Sequence, residues 1–200
     1  MTTDTFPKEW AVEISEEGYR IGGMAKGSGM IQPNMATMLA VITTDAKIEG
    51  GLLETLLRDA VRRSFNRVTV DGDTSTNDTV FLLANGASGV SISSEAALRR
   101  FTEGLDDVCL HLAQMLVKDG EGATKFLSIR VKGAKTEEEA ETAARAVANS
   151  PLVKVAFFGE DANWGRILAA VGYSGIEFTP ERTAISIGGL EVFHGEGRSF

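Results

Sequence analysis

Residues 26–46 read KGSGMIQPNMATMLAVITTDA, and the rest of the chain is read outward from this stretch. Its first half is a glycine-rich loop with one lysine, Lys26, followed by a Pro33-Asn34 turn. Its second half, Met38 to Thr44, is a short apolar run rich in β-branched residues, a length that suits a buried strand better than a helix. Ala36-Thr37 lies at the join. A threonine hydroxyl is a poor nucleophile without a base. One chemical solution is to cut the chain just before it, because the freed α-amine, with an unperturbed pKa of about 7.7–8.0, then serves as base. Ala36 would present little bulk around the attacked carbonyl. The residues alone do not single out Thr37: Thr43 and Thr44 are equally available, and packing or turn bonding explains a threonine at a strand start. The loop is not a phosphate loop, since GxxxxGK[ST] is absent.

Upstream, residues 9–21 read as an extended pair that turns at Glu17-Gly18. Downstream, residues 51–65 read as a helix, with Leu53, Leu56, Leu57, Ala60, Val61 and Phe65 on one face. Arg67–Val70 and Thr79–Leu83 read as strands around a polar loop, DGDTSTND. A long helix follows from about Ser94 to Val117, its stripe being Leu98, Phe101, Leu105, Val108, Leu112 and Met115; Gly104 weakens its middle by about 1 kcal/mol relative to Ala. After Gly120-Glu121-Gly122 the composition shifts. Lys125–Val131 reads as a strand, and Thr136 with Glu139 forms a capping box that opens a helix. Leu152–Phe158 reads as the next strand, Ala162–Val171 as a helix, and Thr183–Ile187 with Leu190–Phe193 as a hairpin around Gly188-Gly189. These elements predict a layered α/β fold with a catalytic core over residues 1–125 and a smaller α/β lobe over 126–200. Both ends look abrupt for a self-contained fold, which predicts a piece of a longer protein, truncated at both ends.

Two hundred residues with 43% hydrophobic side chains are enough for a real core. A net charge of −8 disfavours a nucleic-acid surface, which needs a basic stripe. A single cysteine, Cys109, allows no internal disulfide and points to a reducing compartment. The N-terminus MTTDTFPKEW has neither an apolar nor a basic signal region, and no apolar run approaches the roughly 18 residues of a membrane helix. The expectation is a soluble cytoplasmic protein with no nucleic-acid or membrane partner.

The 26–46 stretch resembles the junction region of the ornithine acetyltransferases of arginine biosynthesis. The resemblance extends to MTTDT at 1–5, VDGDTSTNDT at 70–79, KDGEGATK at 118–125, NSPLVK at 149–154 and GEDANWGRILAAVGYSG at 159–175. It implies the αββα-type sandwich of the self-cleaving acetyltransferase and aminopeptidase fold. It also implies a precursor that cuts itself between Ala36 and Thr37, making Thr37 an N-terminal nucleophile. The implied reaction is ping-pong: acetyl passes from N2-acetylornithine to Thr37, and from that ester to the amine of glutamate. Some members of the family also accept acetyl-CoA as donor; no other cofactor and no metal are implied. Carried over by motif, the substrate-binding residues are Thr2, Lys26, Thr37 and Glu121. Both substrates bear an α-carboxylate, which Lys26 and the Thr2 hydroxyl could hold, and ornithine bears a cationic amine, which Glu121 could balance. The family's oxyanion donors belong to a segment upstream of Met1, and an Asn and a Thr that reach the substrate belong beyond Phe200. The implied partner is therefore the remaining N-terminal chain of the same precursor, in a heterotetramer of two processed chain pairs.

Other readings compete. A self-cleaving aminopeptidase or amidase of the same fold would release its acyl-enzyme to water, and a fragment without its missing segments would be inactive. Lys26 could be a solvated loop lysine and Glu121 a solvent-facing turn residue. Asp71, Asp73 and Asp78 lack the glycine and distal glutamate of a calcium loop, so a hydrogen-bonded structural loop is expected. His111 and His194 are isolated, Cys109 reads as a packed thiol, and Trp164 as a packing aromatic.

Overall fold

Glu17-Gly18 closes the first hairpin because both amide N–H groups donate to the Ile14 carbonyl, at 3.0 and 2.8 Å, with Gly18 at φ 79°. A positive φ carries no steric cost at glycine. The computed structural model describes residues 3–32 and 38–195. Strand β1 (Lys8–Ile14) pairs antiparallel with β2 (Tyr19–Lys26), and β2 pairs antiparallel with β3 (Leu39–Thr44). The fourth strand, β4 (Thr79–Ala84), lies parallel to β3. A parallel neighbour needs a crossover, and helix α1 (Gly50–Arg63) lies within it. Helix α2 (Glu95–Lys118) follows, capped by the Ser94 side chain, which accepts from the Ala97 N–H.

The strands alternate as period 2 demands. Tyr19 and Ile21 on β2, Ala40 and Ile42 on β3, and Leu82 on β4 are buried in one core with Phe101, Leu105, Val108 and Leu112 of α2 and Leu56 and Ala60 of α1. Each such large side chain contributes about 1.5–3 kcal/mol on burial. Gly104 now has a reason: a Cβ there would come within 3.2 Å of the Ile14 and Ile21 side chains, so glycine lets α2 press against the hairpin. The other strand positions leave Met24, Leu39, Val41, Phe81 and Leu83 exposed, with Met24, Val41 and Phe81 paired in one row across β2, β3 and β4.

By its contacts the chain divides into two units, Met1–Ala123 and Thr124–Phe200. The second contains α3 (Glu137–Asn149), α4 (Pro151–Phe158), α5 (Trp164–Gly172) and the antiparallel hairpin β5 (Ala184–Ile187) and β6 (Leu190–His194). Val147, Val153 and Ala170 form its small buried core. The capping box of α3 is present in altered form. Thr136 Oγ1 accepts from Glu139 N at 3.2 Å, and Glu139 accepts from Lys135 N at 3.1 Å. Gly188 and Gly189, both at positive φ, make the hairpin turn.

Three expected strands are absent. Leu152–Phe158 is the helix α4, because Ser150 caps it by accepting from Val153 N and Pro151 occupies its first turn. Proline there has no N–H to leave unpaired, and this start signal outweighs the apolar run. Arg67–Val70 follows a single 3₁₀ turn, Phe65–Arg67, and makes one strand-like bond, Val70 N to Ile31 O at 2.6 Å. Within Lys125–Val131, Ile129 packs on the second core, yet no described residue pairs with the segment as a strand.

Candidate functional site

Lys26 ends β2 directly opposite Leu39, the first residue of β3. Strand pairing thus places the lysine of the glycine-rich loop beside the start of the apolar strand, two residues on from Thr37. Thr2, Ala36 and Thr37 themselves lie outside the described residues, so the proposed nucleophile, the cut bond and one substrate contact are placed only by sequence. Lys26 is half-buried and faces Asp78, whose carboxyl it draws toward the ionised form.

Glu121, the other predicted contact, comes to the same loop. Its N–H donates to the Ser28 carbonyl at 3.0 Å. A Cβ on Gly29 would lie 2.8 Å from the Glu121 carboxyl carbon, so the carboxylate occupies the space that a side chain would fill. Ser28 Oγ in turn donates to the Asp119 carbonyl at 2.5 Å. The structure therefore brings the KGSG loop and the DGEG turn together, although nearly a hundred residues separate them. Glu121 is exposed and available to a cationic group.

The acidic loop 71–78 grips both flanks of the junction. Asp71 accepts from the N–H groups of Met30 and Ile31 at 2.6 and 3.0 Å, and also from Asp73 N. These bonds hold Met30 at φ 55°, a left-handed conformation that is uncommon outside glycine. At the far end, Asp78 Oδ1 accepts from Met38 N at 2.5 Å. Asp78 is buried, and its Oδ2 has no hydrogen-bond partner among the described residues. Burial pushes its carboxyl up, while the Met38 N–H and Lys26 pull the other way; burial prevails. The loop is thus a hydrogen-bonded support, as its sequence predicts.

A second support was not foreseen. Lys8 is fully buried, and its Nζ lies 2.6 Å from Asp4 Oδ1 and 2.5 Å from Asp119 Oδ2. Asp4 also accepts from Gly27 N at 2.8 Å. Asp119 accepts from Thr5 N and from the Thr5 hydroxyl. Lys8 thereby ties three segments together: residues 4–5, next to the MTTDT threonine, the start of the KGSG loop, and the DGEG turn. The available signal was positional. Lys8 falls on the same strand face as Val12 and Ile14, which pack against the core, and a lysine there requires buried anions.

The remaining candidates have other roles. Cys109 is buried and its thiol is pushed up to about 12, first by burial and then by Asp106. The His111 ring stacks on Trp10 at 4.0 Å, and Trp164 stacks on Phe193 at 4.6 Å. His194 lies 3.3 Å from Glu191. No described helix is long and apolar enough to cross a membrane.

Comparison with known proteins agrees with the motif reading. The ArgJ family model matches residues 1–199. The "Glutamate N-acetyltransferase" of Methanocaldococcus jannaschii is 60% identical over 185 residues, covering 90% of this chain and 46% of the relative. The "Arginine biosynthesis bifunctional protein ArgJ" of Symbiobacterium thermophilum is 56% identical over 196 residues, covering 96% and 49%. The crystal structure of the arginine biosynthesis bifunctional protein argJ from Bacillus halodurans superposes with a TM-score of 0.73 at 42% identity, covering 77% of this chain and 73% of that one. The chain spans about half the length of the curated relatives it matches. With a family model matched along almost its whole length, the chain belongs to the ArgJ family.

Proposed function

We propose that this chain is the part of an arginine-biosynthesis acetyltransferase that carries the self-cleavage junction and most of the substrate contacts. The observation that carries the reading is the convergence of Lys26, the start of β3 and Glu121 at one loop, in a chain of this family. A cation and an anion held apart on separate segments suit an amino-acid amide with an α-carboxylate and a cationic side chain. N2-acetylornithine is such a molecule.

In the proposed sequence the Thr37 hydroxyl attacks the Ala36 carbonyl and the peptide nitrogen leaves as the amine, giving an ester. Water then hydrolyses that ester to the Ala36 carboxylate and a free Thr37. In turnover the Thr37 hydroxyl, losing its proton to its own α-amine, attacks the acetyl carbonyl of N2-acetylornithine. Ornithine leaves with that proton, and the α-amine of glutamate takes the acetyl group. Acetyl-CoA could enter at the first acetylation, with its thiol as the leaving group. Oxyanion donors would come from the remaining N-terminal chain of the precursor, and two processed chain pairs would form the cytoplasmic assembly. The exposed sheet face bearing Met24, Val41, Phe81 and Leu83 is where the second sheet of an αββα sandwich would lie.

The test uses the full-length protein and N2-acetylornithine. Intact mass should show a chain beginning at Thr37, and ornithine should be released in a glutamate-dependent way with an acetylated Thr37 chain accumulating when glutamate is withheld. Ornithine release indifferent to glutamate would favour an amidase. Full turnover by Thr37→Ala would overturn the mechanism.

A further inference from the structure

Asn85 and Gly86 open the turn that follows β4. The backbone N–H groups of Asn85, Ala87, Ser88, Gly89 and Val90 all donate hydrogen bonds. Gly86 N alone donates to no described residue. The bond from Ala87 N runs to Asn85 Oδ1, at 2.9 Å, which makes an Asx turn. It bends the exposed Asn85 side chain forward over the Asn85–Gly86 peptide, so that Cγ stands across from the free Gly86 nitrogen. Gly86, at φ 69°, has no Cβ to obstruct their approach. Asparagine is among the chemically labile residues, and here its electrophilic carbon, an unspent nitrogen and a donor to its carbonyl oxygen are held in one turn.

We propose that Asn85 is a site of spontaneous deamidation that the fold itself promotes. Hydroxide takes the proton of the Gly86 N–H, and the nitrogen attacks Asn85 Cγ. The tetrahedral intermediate carries its charge on Oδ1, the oxygen that the Ala87 N–H already holds, and a donor aimed at developing charge lowers the barrier. The Cγ–Nδ2 bond then breaks. Ammonia leaves with a third proton from water, which restores the hydroxide, and a cyclic succinimide remains. Water opens that ring at Cγ to give aspartate, or at the main-chain carbonyl to give isoaspartate, whose chain runs through Cγ. Either product puts a carboxylate in the groove that Glu13, Arg20 and Asp45 also line, where Asp45 Oδ1 accepts from Arg20 N at 2.8 Å. Asn85 follows Ala84, the partner of Thr44, whereas Lys26 pairs with Leu39 at the other end of β3. The modification therefore marks the end of the sheet remote from Lys26.

The experiment incubates the full-length protein in mildly alkaline buffer, either folded or unfolded in guanidinium chloride at the same pH, and reads the products by peptide mapping with mass spectrometry. The expected result is a loss of ammonia and then a net gain of one mass unit at Asn85. It should grow about tenfold faster in the folded than in the unfolded protein, less than the 10²–10³ of an enzyme's oxyanion donor because the Ala87 N–H acts in an exposed turn. Ala87→Pro keeps Asn85-Gly86 but removes that N–H, and its rate should fall to within about twofold of the unfolded parent. Conversion in the folded parent that is no faster than in the unfolded one overturns the proposal. So does an Ala87→Pro variant that folds and converts at the parental rate. If Ala87→Pro does not fold, the folded and unfolded parent decide the question between them.

Discussion

Replacing Lys8 by methionine removes one charge and leaves two. The lysine side chain has no solvent exposure, and its partners Asp4 and Asp119 are 5% and 2% exposed. Methionine keeps most of the stem volume, so the loss is electrostatic rather than a cavity. Breaking a buried ion pair by removing one partner typically costs about 3–5 kcal/mol, because the remaining charge stays buried and uncompensated. The pH dependence gives the sharper test. Burial alone would raise both carboxyls. The Lys8 hydrogen bond, with the Gly27 N–H at Asp4 and the Thr5 donors at Asp119, outweighs it and leaves both below the ordinary 3.8. A folded pKa below the unfolded one stabilises the fold above about pH 3.8, and that contribution disappears as the pH falls through the folded value. In Lys8→Met the lysine no longer opposes burial, so the folded values move upward and protonation relieves the variant as pH falls. The difference in urea stability between parent and variant should be about 3–5 kcal/mol at neutral pH and should shrink markedly by about pH 4. Adding Asp119→Asn to Lys8→Met should recover part of the loss, since the two residues share one network. A variant within about 1 kcal/mol of the parent at neutral pH, the range of an exposed pair, would refute the triad as a buried tie. So would a loss that does not change with pH.

Gly29→Ala should fold normally yet raise KM for N2-acetylornithine. Its Cβ would come within 2.8 Å of the Glu121 carboxyl carbon, so the carboxylate must shift, and a misplacement of about 1 Å can cost up to about a hundredfold in kcat/KM; steady-state kinetics decide it. Cys109 should resist iodoacetamide at pH 8 in the native protein and react once unfolded, because its thiol is buried and pushed up to about 12; native labelling by mass spectrometry would contradict this. Ser150→Ala should cost about 1 kcal/mol in the second unit, the usual loss of a helix N-cap. Ser150 both caps α4 through Val153 N and ends α3, so thermal unfolding should report the loss.

The amphipathic helices and the first hairpin were legible because one period governs each: the stripe from Leu98 to Met115 is continuous, and Glu17-Gly18 is a strong turn. Leu152–Phe158 is helical where its sequence predicts a strand, because an apolar run of this length fits a buried strand or a short helix equally. The decisive residues, Ser150 and Pro151, stand outside the run. Lys125–Val131 shows that an apolar-rich run does not supply its own partner, and a strand exists only where another strand receives its bonds. In the site, Lys26 and Glu121 were reachable by motif, whereas their meeting was not. That depends on Gly29 leaving room for Glu121 and on Ser28 bonding to the DGEG turn, contacts between segments far apart in sequence.

Two separate devices hold the loop on either side of the junction, and they differ in chemistry for a physical reason. The acidic loop 71–78 works through backbone N–H groups, at Met30 and Ile31 on one side and Met38 on the other. Such bonds fix the course of the main chain without engaging the side chains of Met30, Ile31 or Met38. The Lys8 triad works through full charges, away from solvent, and ties the 4–5 segment, the KGSG loop and the DGEG turn into one body. On the proposed function, a loop that presents Lys26 and Glu121 at a fixed separation needs both. Backbone grips alone would let the three segments drift apart, and the triad alone would not set the direction in which the chain enters β3. Disturbing Asp71 should therefore alter the course of the chain at Met30 and Ile31, while disturbing Lys8 should alter how Lys26 and Glu121 are spaced. The two perturbations should add in stability, because they share no partner.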